Sequence, residues 1–130
     1  MIQNEVEEFV NLIQAKRKEF DIYKGNIFAK DNTILIIKIS RTEKVFYGVC
    51  SNILDLLIFG VKIRKIQFGI VLLKNNHEGW FYPENIVIDN IEKNIWKKAT
   101  DQQYKINNPL DTTLYFNNCI EFKRIFSMYY

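Results

Sequence analysis

The sequence predicts a single α+β domain over residues 1–130, with a mostly antiparallel central sheet flanked by helices. Three observations predict it. A chain of 130 residues, 48% hydrophobic and 15% aromatic, has the size of one domain and enough apolar surface for a core. The first twenty or so residues carry apolar side chains at helical spacing. Beyond them, short runs rich in β-branched residues alternate with turn signals. The expected order is α-β-β-β-α-β-β-α-β-α.

Ile2, Val6, Phe9, Val10, Ile13 and Phe20 define an amphipathic helix of about five turns, with Glu7, Glu8, Gln14 and Lys18 between them. Gly25-Asn26 and Asp31-Asn32 are turn signals that bound "DIYKG", "NIFAK" and "TILIIKIS". With "KVFYGV" as the next strand, these segments read as an antiparallel meander. Ser51-Asn52 supplies a cap for "ILDLLIF", and Gly60 a stop. "IQFGIVLLK" has the continuous apolar character of an interior strand, and "NNHEG" turns it into "WFY". Pro83-Glu84 opens a third helix with Val87, Ile88, Ile91 and Ile95 as its buried stripe. "QYKI" makes one more short strand, and Asn118 with Glu121 has the spacing of a capping box before a last helix.

Several function classes are excluded or unsupported. No segment approaches the ~20 apolar residues of a membrane span, since Asp55 and Lys62 interrupt the most apolar stretch, residues 53–63. The acidic N-terminus is unlike a secretory signal, so the expected location is the cytoplasm. A formal charge of +3 is a mild excess, compatible with an acidic partner. Cys50 and Cys119 lack metal-type spacing and read as buried thiols. There is no phosphate-binding glycine loop, no nucleophile elbow and no histidine pair. The single histidine, His77, sits in a turn and reads as solvated.

Inside "DNTILIIKIS" the apolar run is broken by Lys38. On its own this lysine reads as the solvent-facing residue of an edge strand, near the end, where its stem reaches water. Element order and this lysine together resemble the PD-(D/E)XK nuclease-like superfamily over residues 1–73. The resemblance implies a core in which a carboxylate from one strand and an acid-x-lysine triplet from the next hold Mg²⁺ beside a phosphate. Two carboxylates suit that hard cation, and the lysine adds positive charge at the reacting centre. It assigns Lys38 to the lysine, Asp21 to the strand carboxylate (Asp31 if the register shifts), and Glu7 or Glu8 to a helix acid. Ile36 stands where the acid of the triplet belongs. A second alignment, with Glu43 as the acid, puts Val45 in the lysine's place. A site short of one carboxylate holds a divalent ion poorly, so the implied core lacks intact catalysis. No cofactor is expected, and Mg²⁺ enters only if the nuclease reading holds.

Two functional readings follow. In the first, the chain is a nucleic-acid-associated module with a nuclease-like core, contacting phosphates through Lys38, Lys62, Arg64 and Lys65. If it is an enzyme, it is a metal-dependent nuclease. In the second, it is a small protein-binding accessory factor of inhibitor, immunity or regulatory type. Its contact surface would be Trp80, Phe81 and Tyr82 of "EGWFYPE" with the terminal Tyr129 and Tyr130. On a strand, at least one of those three aromatics has to face out or meet another element.

Overall fold

The computed structural model describes residues 2–19, 25–40, 46–107 and 114–130. Its first helix, α1 (Ile2–Leu12), buries Val6, Phe9 and Val10, with Ile13 just beyond, as the periodicity requires. It has about three turns rather than five. Gln14 adopts a left-handed φ of 61°, the N–H of Ala15 returns to the carbonyl of Val10 at 3.0 Å, and the chain reverses. The Lys30 ammonium donates to the carbonyl of Ile13 at 2.7 Å, placing a cation at the negative end of the helix. The basic run after the turn therefore belongs to an edge strand, β1 (Lys16–Arg17), paired with β2 (Ile27–Lys30).

β2 turns through Asp31, itself at a φ of 54°, into β3 (Thr33–Ile39). Here the structure departs from the expected meander. β4 (Phe46–Cys50) leaves this sheet altogether. The helix after it, α2 (Ser51–Lys62), carries the chain back so that β5 (Gln67–Leu73) lies parallel to β3. A parallel pair needs such a crossover. β3 is thus interior, not an edge, and this explains its apolar character on both faces. β6 (Gly79–Pro83) returns antiparallel to β5 and ends directly in α3 (Glu84–Glu92).

After α3 come the short β7 (Lys97–Lys98) and then β8 (Gln103–Asn107), which pairs with β4 and β7 in a separate three-stranded sheet. Finally β9 (Tyr115–Phe116) joins the main sheet beside β6, and α4 (Cys119–Tyr129) closes the chain. The main sheet has the order β1-β2-β3-β5-β6-β9, and β3–β5 is the one parallel pairing among the described residues. The fold class is α+β with a mostly antiparallel sheet, as expected.

Local details correct several expectations. α2 has Cys50 rather than Ser51 or Asn52 at its N-cap, without a side-chain cap bond, and it runs past Gly60. It ends where Arg64 takes a left-handed φ of 60°. In α3, Val87 is fully buried and Ile88 and Ile91 partly, but Ile95 is 62% exposed. The left-handed φ of 58° at Asn94 swings the chain so that Trp96 takes the inside position. The Asn118 cap is present as read: its side chain accepts the N–H of Glu121 at 2.8 Å.

The core lies on both faces of the main sheet. One face gathers Ile27, Ile36, Phe68 and Ile70 with α2, α3 and the small sheet. The other joins Leu35, Ile37, Val71 and Phe81 to α1 and α4. Among the described residues, no helix is long and apolar enough to cross a membrane.

Candidate functional site

Lys38 pairs with Leu72 near the carboxyl ends of β3 and β5 and is half-buried. Strand alternation puts its side chain on the face of Ile36. Such carboxyl ends are where α/β sheets commonly gather polar groups, and several arrive here. The hydroxyl of Tyr47 donates to the carbonyl of Leu73 at 2.7 Å, and burial pushes that phenol well above its ordinary range. The following loop closes through Lys74 N–H to Glu78 carbonyl at 2.8 Å. The Glu78 carboxylate accepts from the Tyr115 hydroxyl and, at 3.1 Å, from Asn75; Lys74 stands 3.5 Å away. The Tyr115 hydrogen bond, aided by Asn75 and Lys74, holds Glu78 below the usual carboxylate range and raises Tyr115. Glu8 of α1 comes to this same end and accepts from Asn76, while Glu7 pairs with Arg17.

What surrounds Ile36 decides the chemistry. The register sets it between Ile27 and Ile70, and all three side chains are at most 1% exposed in one apolar cluster. A carboxylate in that position would be cut off from water, with Lys38 two residues along the strand on the same face. Asp31 is exposed at the other end of the strand. At the rise of a β-strand, Thr33 alone is about 16 Å from Lys38, so Asp31 and Lys38 cannot share an ion. Asp21, Glu43 and Val45 lie outside the described residues. Among the described residues, no three His, Cys, Asp or Glu side chains converge as metal ligands.

The basic residues grouped by sequence are also separated. Because β5 runs parallel to β3, its start at Gln67 is level with Thr33, at the end opposite Lys38. Arg64 and Lys65 lie there, lining a cleft of about 380 Å³ with Asn32, Gln67 and Glu84. Lys62 instead reaches Glu92 of α3 at 3.6 Å, in a different groove. Lys38 therefore does not join Arg64 and Lys65 in one patch.

The aromatic surface is corrected most sharply. Trp80, Phe81 and Tyr82 all meet other elements and are 8%, 0% and 5% exposed. Trp80 packs edge-on to Tyr115, Tyr82 edge-on to Trp96, and Phe81 against Phe122 and Phe126 of α4. Tyr130 packs on Phe81 and Phe126. Only Tyr129 keeps a substantial free face among these five. Exposed apolar side chains stand elsewhere, at Leu12, Ile95, Ile120 and Met128, and as a short row along α2 at Leu56 and Phe59 with Ile63 at its C-cap. The heptad spacing of that row within "ILDLLIFGVKI" was the sequence signal for it.

No protein-family model and no curated protein matches the chain. Among solved structures it is similar to Hjc, a Holliday junction resolvase of the archaeal hyperthermophile Archaeoglobus fulgidus. The identity is 12% and the TM-score 0.49, over 95% of this chain and 98% of that one.

Proposed function

We propose that the chain is a nucleic-acid-associated module built on a nuclease-like core that lacks intact catalysis. The observation that carries the second half is the burial of Ile36 between Ile27 and Ile70, in the place the resemblance gives to a metal-binding acid. An isoleucine in that place offers a hard divalent ion no oxygen. Support for the first half is the cleft at the amino end of β5. Arg64 and Lys65 are exposed on its rim, and the amides of Asn32 and Gln67 add neutral donors. Such a set suits phosphate oxygens rather than base edges, so binding would be sequence-tolerant and salt-sensitive.

Retention of mixed single- and double-stranded DNA and RNA, measured from 50 to 200 mM salt, tests it. Arg64→Glu with Lys65→Glu should weaken retention on every sequence and flatten the salt dependence by about one unit per lost phosphate contact. Retention that is absent, or indifferent to both changes, overturns the binding half. Incubation with Mg²⁺ should leave the nucleic acid intact. Cleavage that disappears on Lys38→Ala overturns the other half.

A further inference from the structure

The outer face of α2 shows Leu56, Phe59 and Ile63 at 47%, 59% and 49% exposure. Their spacing of three and four residues makes a continuous apolar seam, the pattern by which one helix packs on another. Beside it, between α2 and α3, runs a groove of about 310 Å³ lined by Ile58, Phe59, Ile88 and Ile91, with Asp55, Lys62 and Glu92 at its polar margins.

The charges that flank the seam say what covers it. Asp55 and Lys62 are one heptad apart on one side of α2, and both are exposed. Two α2 helices crossing antiparallel about Phe59 bring Asp55 of each level with Lys62 of the other, to within one residue. A parallel crossing would leave these residues on opposite flanks of the seam, without such pairs. One Asp55 oxygen accepts the Tyr104 hydroxyl at 2.8 Å, while the pairs of the other oxygen with Lys98 at 3.9 Å and of Lys62 with Glu92 at 3.6 Å are solvent-exposed and compete weakly. We propose that this face is an isologous contact between two copies of the chain, α2 antiparallel to α2, each Phe59 entering the groove beside its partner's helix. An aromatic anchor in an apolar groove, framed by paired charges, is the usual composition of such a contact. A helix of 12 residues is only about 18 Å long, so the dimer is a weak, concentration-dependent one. This inference is independent of the nucleic-acid reading.

Sedimentation velocity of the full chain, from roughly 10 µM to 1 mM, should show the mass rising toward twice that of one chain. Phe59→Glu, at an exposed position, should stay monomeric with an unchanged circular dichroism spectrum and melting temperature. Asp55→Lys and Lys62→Asp should each weaken self-association at least tenfold, because each sets like charges across the two-fold axis. An equimolar mixture of these two variants should dimerise again, since every facing pair is then opposite in sign. A chain that stays monomeric at all concentrations, a Phe59→Glu variant that associates as before, or a mixture that fails to recover overturns the proposal.

Discussion

Tyr130 uses one hydroxyl twice: it donates to the carbonyl of Phe68 and accepts the backbone N–H of Glu84 at 2.9 Å. The Glu84 carboxylate in turn accepts the N–H of Phe68 at 3.1 Å. The start of β5, the first turn of α3 and the last residue of the chain are thereby joined at a partly buried point. Tyr130→Phe keeps the ring against Phe81 and Phe126 but leaves two backbone groups without this partner. The expected loss is about 1–3 kcal/mol, read as a lower midpoint in urea with an unchanged slope. A variant as stable as the parent would show that water replaces the hydroxyl at no cost.

Gly79 and Gly60 should respond differently to the same substitution. A methyl group at Gly79 would lie within van der Waals radius of the Leu72 carbonyl oxygen and 2.9 Å from Leu73 Cα, both backbone of the paired strand. At Gly60 it would meet the Ile66 side chain, Cδ1 at 2.5 Å and Cγ1 at 2.6 Å, and no backbone of another element. Gly79→Ala is therefore expected to cost about 2–4 kcal/mol. Gly60→Ala should stay within about 1 kcal/mol of the parent, because the gain in helix propensity offsets the crowding. Thermal melts of the two variants side by side check the contrast.

These packing relationships show where the sequence was readable. The stripe of Val6, Phe9, Val10 and Ile13 was legible because a helix writes its period into consecutive residues. Its end was not, since Gln14 adopts a left-handed conformation that nothing in its type demands. Lys38 was misread as an edge residue because the strand covering that side, β5, follows only after β4 and α2. Trp80, Phe81 and Tyr82 were assigned to a surface because α4, which covers Phe81, comes from the far end of the chain. Of the candidate site, the missing acid of the triplet was readable from Ile36 alone. The separation of Asp31, Arg64 and Lys65 from Lys38 required the strand register.

Restoring an acid to the triplet tests how apolar that setting is. Ile36→Glu would bury a carboxylate among Ile27, Ile70 and Phe68. Burial disfavours the charged form, so the introduced carboxyl should titrate well above its ordinary ~4.3. Its folded pKa then exceeds its unfolded one, and the penalty grows as pH rises past the unfolded value. The variant should be several kcal/mol less stable at neutral pH and recover part of that in mild acid. Thermal melts at both pH values, with and without Mg²⁺, provide the measurement. A marked rise in melting temperature with Mg²⁺ would mean that other acids do reach this point, and would reopen the question of catalysis.

Alkaline stability follows from the buried phenols. Tyr104 is 7% exposed and donates to the Asp55 carboxylate at 2.8 Å. Burial first, and that carboxylate second, push its pKa up to about 12. Tyr47 and Tyr130 are also raised, chiefly by burial. In the unfolded chain all three ionise near the ordinary value of ~10. Above that pH the unfolded state has released protons that the folded state retains, so stability is fully present below about pH 10 and declines toward pH 12. The decline approaches about 1.4 kcal/mol per pH unit for each such tyrosine. Phenolate absorbance and circular dichroism recorded along one alkaline titration should therefore show the late-ionising tyrosines appearing together with unfolding. Tyr104→Phe should make the decline shallower without moving its onset, and Asp55→Asn should bring Tyr104 back toward the ordinary range while burial still holds it above. If all seven tyrosines ionised together near pH 10 in a chain that stayed folded, the burial of these three hydroxyls would be refuted.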